Sequence, residues 1–186
     1  MENKKIIIPA VIILLLVIGG VLYWNNQQEM ANLNENLPEG VRVIKTLFGD
    51  YKVVNKIDDY EFTVPDEWKG IKNVYYTAER TETGYVGTSI ELEGTIGPTR
   101  ILFIDLFKTT LLNVDLEKWA GNFFKTFNLN GNFSKDKIGN FEVVKTTEDV
   151  HLAGMYVYFF EKDTNIYTIT NGSEEFIREI IVSGKW

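Results

Sequence analysis

The chain has 186 residues, with 19 Lys+Arg against 26 Asp+Glu, one histidine, no cysteine and a formal net charge of -7. Without cysteine there are no disulfides, no thiol catalysis and no cysteine-ligated zinc. The acidic balance gives no electrostatic attraction to nucleic acid or to an anionic lipid surface, so no nucleic-acid partner is expected.

The first segment is an uncharged apolar run over 6–24, IIIPAVIILLLVIGGVLYW. As a helix it would reach about 28 Å, close to the hydrocarbon thickness of a bilayer. Lys4 and Lys5 precede the run, and the next basic residue is Arg42. Positive charge stays in the cytoplasm, so the amino end is expected inside and the rest extracellular or periplasmic. Tyr23 and Trp24 stand where aromatic rings favour the outer interface. The run is too long for a signal-peptide core. The nearest small residue after it, Ala31, has Glu29 two positions before it, a poor cleavage site. The expectation is an uncleaved, single-pass signal-anchor whose first partner is the lipid bilayer, through residues 6–24.

Residues 25–40, NNQQEMANLNENLPEG, read as a polar spacer, and 41–186 as one domain. Of the charged residues, only Glu2, Lys4 and Lys5 precede residue 25. That leaves 17 Lys+Arg and 25 Asp+Glu beyond it, a net charge of -8.

Within the domain, YKVVN at 51–55 and YEFTV at 60–64 read as short strands joined by a turn holding Asp58-Asp59. Pro65 ends the second, because it cannot donate to a ladder, and Trp68 follows. Residues 74–78 and 85–92 form a second strand pair, and RILFIDLF at 100–107 reads as a strand buried on both faces. Asp115 then caps a helix whose Leu116, Trp119, Ala120, Phe123 and Phe127 recur at three- and four-residue steps, a stripe for packing on the sheet. Strands return at 141–147, 154–161 and 167–170. Ser173 caps a terminal helix with Phe176, Ile177, Ile180 and Ile181 on its buried side. The order predicts an α+β domain, an antiparallel sheet with helices packed against it.

Chemistry-bearing patterns are sparse. There is no P-loop, G-x-G-x-x-G, G-x-S-x-G or H-E-x-x-H. His151, beside Glu148 and Asp149, is the one histidine available to a metal. Glu91 and Glu93 would share a strand face, where paired carboxylates can bind a cation or do acid–base work. Asp58-Asp59 and Asp66-Glu67 read as solubilising turn acids, and Asn132 and Asn171, in N-x-S patterns, as turn and capping residues. No cofactor is expected.

The stretch Tyr60-Glu-Phe-Thr-Val-Pro-Asp-Glu-Trp68 resembles the Y-x-F-x-x-P-x-x-W opening of PsbP-like domains. The later order is similar to that family too: a helix around Trp119, strands at 155–160 and 167–170, and a closing helix with Glu-Glu-Phe. The resemblance covers about 51–183. It implies an α/β/α sandwich and a non-enzymatic extracytoplasmic role in binding or stabilising other envelope components. The family's lipoprotein members carry a cysteine after the signal, where this chain has an anchor. The resulting expectation is a membrane-anchored binding or assembly module with an envelope protein partner. The competing reading is an exported hydrolase that depends on carboxylates or a metal, built on His151, Glu91 and Glu93.

Overall fold

The computed structural model describes residues 3–46, 49–65, 71–82, 84–94, 100–109, 114–147, 156–170 and 173–186, with the side chains of 3–12, 81–82 and 100–101 outside the description. Helix α1 (Asn3–Asn34) comes first. Among the described residues no helix is long and apolar enough to cross a membrane. The apolar part of α1 with described side chains, 13–24, spans about 18 Å, against about 30 Å of hydrocarbon. The remainder of the expected 6–24 span has no described side chains.

The expected spacer continues α1 as far as Asn34. Asn26 and Met30 are half-buried and Leu33 is 5% exposed, a stripe at helical spacing that faces the domain. Asn34 fastens the end: its Nδ2 donates to the Val43 carbonyl at 2.9 Å, and its Oδ1 accepts from the Val43 N–H at 2.7 Å. One turn earlier Glu29 accepts from Lys45 Nζ at 2.9 Å and from the Tyr51 hydroxyl.

Val43, Lys45 and Tyr51 belong to a small antiparallel sheet of β1 (Val41–Lys45), β2 (Tyr51–Asn55) and β3 (Tyr60–Thr63). The β2–β3 turn falls at Asp58-Asp59 as the sequence indicates, with Asp59 at φ 58. Trp68 lies outside the described residues.

The large sheet comprises β4 (Ile71–Glu82), β5 (Tyr85–Gly94), β6 (Arg100–Lys108), β7 (Phe133–Ile138), β8 (Phe141–Thr146), β9 (Val157–Lys162) and β10 (Asn165–Thr170). Its strand order is β4-β5-β6-β10-β9-β8-β7 and every pairing is antiparallel. Both faces are apolar. On one, Ile90, Leu92, Leu102, Ile104, Phe160, Tyr167 and Ile169 pack against the small sheet, Leu33 and helix α3 (Glu174–Ser183). On the other, Phe107, Val144, Val157 and Phe159 pack against helix α2 (Leu116–Thr126) through Ala120, Phe123 and Phe124. The class is α+β, with helices on both faces of an antiparallel sheet.

The caps are where the sequence places them. Asp115 accepts from the Lys118 N–H and Ser173 from the Phe176 N–H, both at 3.2 Å. The α2 stripe is shifted slightly. Phe124 and Phe123 are 3% and 9% exposed, Trp119 is half-buried, and Phe127 is 38% exposed at the rim. Truncating Phe124 to Ala is expected to cost about 3–5 kcal/mol in denaturant unfolding. A loss under about 1 kcal/mol would show that α2 does not hold this face.

The carboxyl terminus closes the other layer. Lys185 exchanges backbone hydrogen bonds with Glu61 at 2.9 and 2.8 Å, extending the small sheet beyond β3. Trp186 stacks on Tyr60 and Phe62 with centroids at 5.5 and 6.0 Å. Its indole covers Gly184 so closely that a Cβ there would meet it at 2.3 Å. The ammonium groups of Lys185 and Lys52, each 2.7 Å away, hold the Glu61 carboxyl from its ordinary 4.5 down to about 2. A depressed carboxylate stabilises the fold fully above its unfolded pKa and loses that contribution as pH falls through the folded one. Acid titration of unfolding stability should therefore fall between about pH 4.5 and 2, and more gently in Glu61→Gln. Identical slopes would remove Glu61 from the acid transition.

Candidate functional site

The site begins with an irregularity in β4. The partner of Thr77 is Ser89, but the partner of Arg80 is Gly87, so Ala78 and Glu79 together oppose one residue of β5. In regular alternation Arg80 would share a face with Tyr76. The extra residue turns it to the face of Thr77, the α2 side. There Arg80 Nη1 reaches across β5 to Asp105 Oδ1 on β6 at 3.0 Å.

That reach requires small residues on the strand between. On the α2 face β5 presents Gly87 and Ser89, the register partners of Phe107 and Asp105. Gly87 has no room for a side chain: a Cβ would lie 2.4 Å from the Leu106 carbonyl and 2.8 Å from the Phe107 ring. Asp105 is 6% exposed, and its Oδ2 accepts from the Thr168 hydroxyl at 3.1 Å. Thr168 is its register partner on β10. Arg80, Asp105 and Thr168 thus form a polar line across the middle of an aromatic face.

Above this line lies an open cavity of about 250 Å³. Phe123, Phe124, Phe127 and Leu129 form its α2 wall, and Phe103, Val157, Thr170 and the polar line form its floor and sides. A mostly apolar concavity with a few convergent polar groups is the ordinary form of a binding site. Its chemistry favours binding. Asp105 is ion-paired through one oxygen and hydrogen-bonded through the other. The threonine hydroxyls have no histidine, lysine or free carboxylate positioned to activate them among the described residues lining the cavity.

The residues singled out in the sequence are not brought together here. His151 lies outside the described residues. Glu91 and Glu93 do share the α2 face of β5, opposite Phe103 and Ile101, and Glu93 accepts from Asn73 Nδ2 at 2.6 Å. Among the described residues no three His, Asp or Glu side chains stand together as a metal site. Asp58, read as a turn acid, is 9% exposed, and its Oδ2 accepts from Asn55 Nδ2, the Tyr76 hydroxyl and the Thr88 hydroxyl at 2.8, 3.0 and 3.0 Å. It fastens the β2–β3 turn onto β4 and β5. Burial, then the bond to Asp58, pushes the Tyr76 phenol up to about 12.

The Arg80–Asp105–Thr168 line escaped the sequence reading because its members are 25 and 63 residues apart. The accessible signal was the lone acid inside the apolar run 100–107, since a buried carboxylate needs a partner.

No protein-family model matches this chain, and neither a curated protein nor a solved structure does.

Replacing Asp105 with Ala should destabilise the domain by about 1–3 kcal/mol, because Arg80 and Thr168 lose a buried acceptor. The isosteric Asp105→Asn should recover part of that loss. Equal stability of all three proteins in urea would show that the line is not structural.

Proposed function

We propose that this protein is a single-pass membrane-anchored binding module, with its domain outside the cell membrane in a PsbP-like arrangement and no catalysis of its own. One observation carries the reading. The large apolar side chains of α1 from Ile13 to Trp24 are 47–69% exposed around the whole helix, whereas from Asn26 onward the same helix packs on the domain. A continuous apolar surface of this kind is out of place in water and calls for an apolar surrounding. Joined in sequence to residues 6–12, it supports a bilayer anchor, and Lys4 and Lys5 support a cytoplasmic amino end.

The PsbP-like arrangement draws support from the α+β class, the antiparallel sheet and the helices on its two faces. The binding role draws support from the cavity under α2. Its size suits one apolar side chain of an envelope protein partner, seated on Phe124 and Val157 with a polar edge directed to Arg80 or Thr170. The carboxylate on the floor is already satisfied by Arg80 and Thr168, which favours recognition over turnover.

Two measurements test this. Protease added to intact cells should remove an epitope placed after Trp186; protection of that epitope would overturn the orientation. Filling the cavity with Leu129→Trp should abolish capture of the partner that the native protein retains from membranes, with the melting temperature preserved. Undiminished capture would move the binding surface elsewhere, and hydrolysis of model substrates by the purified domain would replace the binding module with an enzyme.

A further inference from the structure

The cover that the small sheet lays on the large one ends at the β2–β3 turn. Beyond it, between the residues that follow α1 and strands β4, β5 and β6, lies a second open cleft of about 800 Å³. It is on the opposite face of the large sheet from the cavity under α2. Leu37, Ile57 and Ala78 give it apolar walls, and Ile57 is 49% exposed.

Asp58 lines this cleft and is buried. Its Oδ2 takes all three hydrogen bonds, and all three donors are neutral: the Asn55 amide and the Tyr76 and Thr88 hydroxyls. Among the described residues no hydrogen bond and no ion pair reaches Oδ1. A buried carboxylate ordinarily has a cation beside it. Here the surroundings add negative charge instead, because Glu35 and Glu79 line the same cleft and Lys108 is the one base facing them among its described residues. The arrangement is built in advance. Asn55 Oδ1 accepts from the Ile57 and Asp58 N–H groups at 3.0 and 3.1 Å, which fixes the turn. Glu79 reaches the cleft through the irregularity that turns Arg80 away: Ala78 and Glu79 both stand opposite Thr88, so two neighbours line one cleft, as regular alternation does not allow.

We propose that this cleft receives a lysine side chain from a protein partner, with its ammonium against Asp58 Oδ1 and its stem along Ile57 and Leu37. The walls suit a methylene stem that carries a charge at its end. The carboxylates are spread around the cleft, and among the described residues no three acids converge as a bare metal ion requires. The open oxygen selects lysine over arginine. A guanidinium fork takes both oxygens of a carboxylate, whereas an ammonium is a compact point charge that needs one. The cleft is larger than one side chain and leaves room for the peptide on either side of it. Attraction between charges contributes to the contact, so salt weakens it. The contact is separate from the cavity under α2 and stands or falls without it.

The test uses the full chain, isotopically labelled, in detergent micelles. It is titrated with the peptide acetyl-Ala-Lys-Ala-amide and with its arginine and norleucine analogues, followed by amide NMR shifts. The lysine peptide should shift the Ile57, Asp58 and Thr88 signals saturably and bind several-fold tighter than either analogue, less so in high salt. Asp58→Asn disturbs the acceptor that fastens the turn, so variants at the rim decide the matter. Glu79→Gln should weaken the lysine peptide several-fold and Lys108→Gln should strengthen it, both with unchanged melting temperature. A norleucine peptide bound as tightly as the lysine one, or shifts confined to the α2 side, would overturn the proposal. So would rim variants that leave the affinity unchanged. Equal or tighter binding of the arginine peptide would overturn the assignment to lysine, and spermidine bound as tightly as the peptide would overturn the protein partner.

Discussion

Burial of the large sheet on both faces is the constraint on which the other elements depend. Strands β6, β10 and β9 have neighbours on both sides, and their residues point alternately into two separate apolar clusters. A sheet of this kind needs two covers. Helix α2, with Leu129 just beyond it, supplies one among the described residues. The other is a composite of the small sheet, α3 and the end of α1, with Trp186 packed into it. Trp186 and the last turns of α1 are therefore parts of the core, and cutting away either removes buried apolar surface rather than a tail.

The same constraint explains the cost of the polar line under α2. Asp105 sits in a strand that is otherwise Leu, Phe and Ile, where an uncompensated carboxylate would be expensive. Compensation comes from a distant strand, and only because two local features coincide: the extra residue before Arg80 and the small side chains at Gly87 and Ser89. Buried ion pairs of this kind seldom add stability over apolar packing.

Much of the secondary structure was legible because it is written in local patterns. The α2 stripe, the Asp115 and Ser173 caps, the turn at Asp58-Asp59 and the double-faced strand at 100–107 depend on residues a few positions apart. Strand β7 was not legible, since FSKDKI has charge where a strand signal expects apolar alternation. Strand β4 was read too short, because its irregularities at Ile71/Asn73 and Thr77/Arg80 break the two-residue period. The division into two sheets has no local signature. For the site, the sequence offered His151, Glu91 and Glu93 as metal-ligating types, whereas the cavity is defined by pairings between strands remote in sequence. Asp58 shows the same limit: a turn acid by composition, it is a buried acceptor because Tyr76 and Thr88 arrive from another sheet.

Sheet edges explain how the first helix and the last residues are seated on the domain. An unpaired strand edge invites another chain, and proteins cover such edges or mark them with charge and irregularity. The large sheet ends in β4, with its register breaks, and in β7, whose Ser, Lys, Asp and Lys include the Asp136 that pairs with Lys145 and Arg178. The small sheet is closed differently. At β3 the Lys185 backbone adds one more rung, and at β1 the Asn34 amide imitates a strand residue by giving and taking one hydrogen bond with Val43. The edge of β1 is thus satisfied by a side chain of the very helix that leads to Trp24. A flexible tether would leave that edge open. The helix closes it by docking. Protection of the edge and the seating of α1 on the domain are two results of the same pair of hydrogen bonds.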